Sequence, residues 1–397
     1  MKDCEKMKIV GIVAEYNPFH NGHKYLIEQA RKSGAEKIVA VMSGNYVQRG
    51  DTAIISKFQR TLQALENGVD LVCELPTYWA MATAQKFSQG AIEVLENIGV
   101  DTLIFGSECG NIEKIIETAY CIRSNEFSRC MRENLDNGLT PAKARENAVE
   151  TLIGNGELLR TANDTLAVEY VCAAKTLNSK MKFFAVKRTG TQHDSNIING
   201  EFCSASELRR IILSGKIEKC RKFMPQKSYD ILIEQYDNGK ISSIISLEKT
   251  ILSSLRTMSQ AEYKALPDIS EGIENRLYNA ARISRNFEEL MNYSATKRYT
   301  NARLRRLIIS AFLKIRAEAI PETVPFIRIL GCNVNGADVL KNARKISKIP
   351  VIMRSTALKG NLTFEFENKA TDIYALSQIN PDPCGIEFTN GVIVKKD

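Results

Sequence analysis

Histidine is the scarcest reactive side chain in this sequence: three occur in 397 residues, at positions 20, 23 and 193. Any chemistry that needs an imidazole is confined to those places. No G-x-x-x-x-G-K-[ST] occurs, which excludes a P-loop as the means of holding a triphosphate. The ten cysteines are scattered and form no C-x-x-C, so reduced, mostly buried thiols are expected rather than a zinc site or a disulfide framework. No run approaches the roughly 18 apolar residues that a membrane span requires. The opening Met1-Lys2-Asp3-Cys4-Glu5-Lys6-Met7 is charged where a signal peptide is hydrophobic. A cytoplasmic protein with no membrane partner is the expectation. With 44% hydrophobic and 25% charged residues, a chain of this length should form two or three domains.

What is present begins with Gly11-Ile12-Val13-Ala14-Glu15-Tyr16-Asn17-Pro18-Phe19-His20-Asn21-Gly22-His23, followed by Lys24-Tyr25-Leu26. An apolar run of β-formers breaks at Asn17-Pro18, and a helical pattern starts after Gly22. Both imidazoles then fall where a helix N-terminus directs its free N–H groups, a place suited to phosphate. One His at a helix start usually only punctuates a loop; two around Asn-Gly, directly after a parallel-type strand, outweigh that reading. The spacing is the H-x-G-H signature of the nucleotidyltransferase superfamily, whose members activate ATP by attack at the α-phosphorus.

The spacing predicts helices over 24–33, 57–67 and 80–97, alternating with strands over 37–42, 70–75 and 101–105. That order implies an α/β fold with a doubly wound, Rossmann-like parallel sheet. Residues 111–178 read as helical and 182–186 as a further strand, and the first domain is placed at 1–215. Polar turns follow each strand: Ser43-Gly44-Asn45-Tyr46-Val47-Gln48-Arg49-Gly50-Asp51, Glu74-Leu75-Pro76, Gly106-Ser107-Glu108, and Lys187-Arg188-Thr189 with His193-Asp194. Each alone is an ordinary turn; together they outline a cleft. Ser204-Ala205-Ser206 opens a helix that Ser206 can cap, with Arg209 one turn in. This is either a second phosphate site or an ordinary capped helix, and taken alone the second reading is favoured. Cys203, beside it, could carry an acyl group in principle, but a small buried hydrophobe is the better reading.

Residues 216–322 form a second region, helical and basic. Lys297, Arg298, Arg303, Arg305 and Arg306 are its densest cluster, with Tyr293 and Tyr299 interleaved. The net charge of +8 matters less than this concentration. A nucleic-acid footprint and a solvated basic face are about equally compatible with composition, and Arg303, Arg305 and Arg306 cannot all share one helical face. Residues 323–397 return to a β-α-β pattern, with strands over 326–330 and 350–353 and helices over 336–347 and 371–379. Whether this segment packs on the first domain is open from sequence.

The chain resembles the bacterial tRNA(Met) cytidine acetate ligases, through blocks that run in the same order along most of its length. They are Glu15 to His23, Ser43 to Gly50, Glu74 to Pro76, Phe105 to Glu108, Lys187-Arg188 with His193-Asp194, Ser204 to Ser206 with Arg209, and Thr296 to Thr300. Tyr46 stands where that family has Phe and Asp51 where it has Glu, and Thr77 to Thr83 departs from the usual sequence after Glu-Leu-Pro.

The resemblance implies acetate and ATP giving acetyl-adenylate and pyrophosphate, then acetyl transfer to N4 of the wobble cytidine of elongator tRNA(Met), with Mg²⁺ as cofactor. It implies catalytic roles for His20, His23, Arg49 and Arg209. ATP contacts are expected from the 13–26 stretch together with Gly106, Asn163, Arg188, Thr189, Ser204 and Ser206, with tRNA held by the basic cluster. Two rivals remain at this level: an adenylyltransferase of the same superfamily acting on a phosphate ester, and a non-catalytic RNA-binding module. The basic region speaks against the first and the intact His20, His23 and Ser204 to Arg209 blocks against the second.

Overall fold

The computed structural model describes residues 8–188, 200–270, 272–296 and 298–396. Strand β1 (Ile9–Ala14) leads into α1 (Asn21–Lys32), β2 (Lys37–Ser43), α2 (Lys57–Glu66), β3 (Leu71–Leu75), α3 (Ala84–Ile98) and β4 (Thr102–Ser107). Four α-helices and a short 3-10 turn then precede β5 (Lys182–Lys187), the last of them α4 (Ala162–Thr176). The strands are short apolar runs because both faces of the sheet are covered, as parallel sheets require. Helix and sheet come close at Gly11, where a Cβ would lie 2.9 Å from the Leu95 side chain of α3. The start of the third predicted helix, 80–97, shifts: residues 77–80 form a separate turn of helix after Pro76, and α3 begins only after Thr83, whose side chain caps it.

The strand order is β8-β6-β3-β2-β1-β4-β5, where β6 is Ile327–Cys332 and β8 is Ile393–Val394. β1 to β5 are mutually parallel. The C-terminal segment therefore joins the first sheet, and β6 runs antiparallel to β3. A short strand, β7 (Val351–Ile352), pairs with the start of β6. The last long helix lies earlier than its pattern suggests, at Leu362–Ala375, because the Asn361 side chain accepts from the Phe364 N–H and sets its start.

Between sheet and C-terminal segment lies a sealed group of charges. Lys57 Nζ is 2.5 Å from Glu74 Oε1 and 2.6 Å from Glu387 Oε1, and Arg328 bonds both of those carboxylates. Glu367 accepts from the Thr77 N–H at 2.6 Å and from the Thr77 hydroxyl at 2.8 Å. All five charged residues are buried. Two cations therefore face three carboxylates, and the third keeps its proton. Burial and the Glu74 carboxylate push Glu367 up to about 8, while burial of Glu387 is outweighed by Lys57 and Arg328, which hold it at about 2.

The helical region packs against the loop after β2. Gly50 has φ +70°, and a Cβ there would sit 2.4 Å from the backbone nitrogen of Arg306, so only glycine fits. Arg306 belongs to helix α5 (Asn301–Phe312), whose Leu304, Leu307 and Ile308 share one continuous core with β2, β3 and α3.

Arg328→Met should cost about 3–5 kcal/mol of stability, since it strands buried carboxylates; urea unfolding reads this. Glu367→Gln should do the opposite. The folded carboxyl titrates at about 8, above its usual 4.5, so its contribution is complete below the lower value and is lost as pH rises toward the upper. The variant's melting temperature should exceed the parent's at pH 9, and the gap should close as pH falls toward 4.5.

Candidate active site

A cavity of about 260 Å³ opens at the carboxyl ends of β1 and β4, where the direction of strand order reverses. Its floor is Val13, Ala14 and Glu15 with Gly106, and α1 points its N-terminus into it. His20 is the N-cap of α1: its Nδ1 accepts from the Gly22 N–H at 3.0 Å. His23 completes the box, its Nδ1 accepting from the His20 N–H at 3.2 Å. The two rings stack with centroids 3.8 Å apart. Gly22 makes this possible, since a Cβ there would lie 2.8 Å from His20 Cε1.

Burial, His20 and Arg188 hold the His23 imidazole well below its ordinary pKa, so at neutral pH the ring is uncharged. With Nδ1 accepting a backbone N–H, the proton of the neutral ring sits on Nε2. Tyr16 supports the arrangement from beneath. It holds φ +47°, rare for a bulky residue, and its ring meets His23 edge-on at 5.0 Å.

Positive charge comes from the opposite wall. Arg188 follows β5, its Nε 3.7 Å from Glu108 Oε1. Arg209 donates to the Asn17 carbonyl at 2.8 Å and to the Ser206 hydroxyl at 3.3 Å, linking the helix at Ala205–Leu213 to the turn after β1. That helix is capped by Ser204, which accepts from the Glu207 N–H; Ser206, the expected cap, lies inside the first turn and holds Arg209 instead. Burial and Glu207 push the Cys203 thiol up to about 11, so it stays protonated and is no nucleophile at neutral pH.

The loop after β2 closes the remaining side with Gln48 and Arg49. Arg60 of α2, fully buried, clamps its start by donating to the carbonyls of Ser43 (3.0 Å), Glu15 (2.7 Å), Ile55 (3.1 Å) and Gly44. Burial pulls this guanidinium down to about 10, still charged at neutral pH. Glu15 Oε1 accepts from the Gln48 N–H at 2.8 Å. Tyr374, from the C-terminal segment, donates to the Ala53 carbonyl at 2.9 Å, and Asn45 reaches Thr371.

The cavity therefore collects Val13 to Asn17, His20, Gly22, His23, Tyr25, Leu26, Arg49, Gly106, Arg188, Ser204, Ser206 and Arg209. Other expected contacts stand behind its wall. Phe19 is buried, Pro18 and Lys24 do not line the cavity, and Asn21 ties the turn to the Glu201 and Lys222 carbonyls. Asn163 donates to Glu108 at 2.6 Å, so it reaches the site through the partner of Arg188. Thr189, His193 and Lys297 lie outside the described residues. Sequence reading missed Phe87, Leu166 and Tyr170, apolar wall contributed by α3 and α4, which carry no motif.

Of the basic cluster, Arg298 is exposed. The others turn inward. Arg305 bonds Asp51 at 2.9 Å, Arg306 donates to the Gln48 carbonyl at 3.3 Å, and Arg303 bonds Ser270 and the Asp268 carbonyl, each at 2.8 Å.

A parallel sheet with paired imidazoles capping the first helix at its switch point defines a nucleotide-binding α/β protein of the nucleotidyltransferase class. The chain belongs to the HIGH nucleotidyl transferase family, whose family model matches residues 7–385, and within it to the tRNA(Met) cytidine acetate ligases. It is 36% identical to the tRNA(Met) cytidine acetate ligase of Thermoanaerobacter sp. (strain X514) over 98% of this chain and all of that protein. With that of Caldicellulosiruptor saccharolyticus it shares 37% identity over 93% of this chain and 94% of the relative. The crystal structure of Thermotoga maritima TmcAL in its apo form superposes with a TM-score of 0.92 at 30% identity, covering 98% of this chain and 100% of that one. The same protein bound with alpha-thio ATP gives 0.90.

Gly22→Ala should displace His20 from its cap and weaken binding of an ATP analogue roughly 3- to 10-fold, the worth of one hydrogen bond. Isothermal titration calorimetry measures this, with the melting temperature of the variant as control.

Proposed function

We propose that this chain is an ATP-dependent acetate ligase that forms N4-acetylcytidine at the wobble position of elongator tRNA(Met) in the cytoplasm. The observation that carries the reading is the stacked His20 and His23 pair at the α1 N-terminus, facing Arg188 and Arg209 across one cavity. A neutral imidazole with its stacked partner and two guanidiniums are what a triphosphate needs when an anion must approach it. Acetate attacks the α-phosphorus; the new bond is carboxylate oxygen to phosphorus, the bond that breaks joins the α-phosphorus to its bridging oxygen, and pyrophosphate leaves. Charge repulsion is the main barrier, and fixed positive groups lower it.

In the second step the cytosine N4 attacks the acetyl carbon, the acyl–oxygen bond breaks, AMP leaves and the amine loses a proton. His20, His23, Arg188, Arg209, Thr189, Ser204 and Ser206 are assigned to the nucleotide, with Gly106 admitting its close approach. Arg49, on the loop that closes the cavity, is assigned to acetate. Mg²⁺ enters with the substrate as MgATP. Residues 1–215 are assigned to ATP and acetate and 216–322 to tRNA. Lys297 and Arg298 meet the RNA backbone, Arg303 holds Asp268 and Ser270 within that region, and Arg305 and Arg306 couple it to the loop.

Purified protein incubated with ATP, Mg²⁺, labelled acetate and total bacterial tRNA should place label in N4-acetylcytidine after nuclease digestion. ATP turnover without that label points instead to an adenylyltransferase with another acceptor. Arg49→Ala should abolish acetyl-adenylate formation with the fold intact by circular dichroism; an unchanged rate removes Arg49 from the acetate site.

A further inference from the structure

A second cavity, of about 310 Å³, lies between the start of α3 and helix α5. Its body is apolar, with Tyr78, Met81 and Leu307 among its walls, and it carries Lys86, Asp268 and Arg306. Gln48 bridges it to the nucleotide cavity. Gln48 lines the nucleotide cavity and donates from Nε2 to the carbonyl of Ala82, which lines the second, at 3.4 Å. Arg306, in the second cavity, donates to the Gln48 carbonyl at 3.3 Å.

Two further features are unusual for a mere crevice. Asp268 adopts φ +60°, a conformation that L residues other than Asn and Asp seldom hold. Its carboxylate oxygen lies 3.3 Å from Arg303 Nε and 3.7 Å from Arg306 Nη2, contacts that leave a carboxylate room for further hydrogen bonds. An acceptor and a donor thus stand side by side against an apolar slot beside the place assigned to acetate.

We infer that this cavity is the acceptor-base subsite, which takes the cytosine whose N4 is acetylated; the inference rests on the acetate ligase reading above. An unstacked pyrimidine needs apolar contact for its faces and hydrogen bonds for its edge. Cytosine presents an amine donor at N4 beside acceptors at N3 and O2. Asp268 accepts from the amine, Arg306 donates to the neighbouring acceptor, and exposed Lys86 meets a flanking phosphate. Uracil in the same position would turn its O4 carbonyl toward the Asp268 carboxylate and be repelled, so the pair also selects the base.

The test separates two half-reactions of the full-length protein: acetate-dependent ATP–pyrophosphate exchange, and acetyl transfer to a tRNA(Met) transcript. Two variants are compared with the parent. Asp268→Asn keeps a residue that tolerates positive φ and removes the charge; Ala317→Trp, at an exposed position lining the cavity, obstructs the slot without touching the edge-reading pair. Both should keep exchange within about twofold and lose acetyl transfer about 10- to 100-fold, the range of one bidentate base contact. A transcript carrying uridine at the wobble position should inhibit Asp268→Asn more strongly than the parent, because an amide can donate to O4. Parental transfer rates in both variants, or exchange that falls in step with transfer, overturns the subsite. A parent chain without acetate-dependent exchange overturns the ligase reading and the subsite with it, a failure visible before any variant is compared.

Discussion

Two cations three residues apart on α2, Lys57 and Arg60, have no exposure to water, and the whole carboxyl edge of the sheet is arranged to satisfy them. An unpaired charge in that position would cost several kcal/mol, so its partners are not optional. Arg60 is answered by four carbonyls, from the ends of β1 and β2 and the loop between β2 and α2. Lys57 is answered by Glu74 at the end of β3 and by Glu387 from the far C-terminus. One helix thus fixes three strand ends, the loop that closes the cavity and the last segment of the chain relative to one another.

The C-terminal segment is accordingly part of the active-site architecture, although none of its described residues lines the cavity. Thr371 and Tyr374 brace the loop that carries Gln48 and Arg49, and Arg328 and Glu387 seal the charges beneath it. The helical region presses on the same loop from outside, with Gly50 against the α5 backbone and Arg305 and Arg306 bonded to its residues. A loop held from both sides transmits a shift of either neighbour to the cavity. That geometry suits a two-substrate reaction in which the acceptor binds beside the activated acyl group.

The His-capped start of α1 was legible because it is local. His20, Gly22 and His23 act within one helical turn, and their spacing alone specifies the cap. The Glu74-Leu75-Pro76 block was visible as a motif but not as a buried ion pair, since Lys57, Arg328 and Glu387 come from three distant segments. The basic cluster was legible only as composition for the same reason: the number of arginines is in the sequence, and only packing shows that Arg303, Arg305 and Arg306 also bond internal carbonyls and carboxylates. Asn163 was read as a nucleotide contact, and the sequence could not show that it also holds Glu108, the partner of Arg188.

By itself the sequence determined the alternation of strands and helices, the parallel sheet, the His-capped α1 and hence the class of chemistry, because hydrophobic period and capping are properties of neighbouring residues. The tertiary structure decided that β6 of the C-terminal segment joins the first sheet antiparallel to β3, which charges are buried together and which cavity lies beside the nucleotide. Those depend on contacts between residues far apart in sequence, such as Lys57 with Glu387 or Arg306 with Gln48, and no local pattern encodes them.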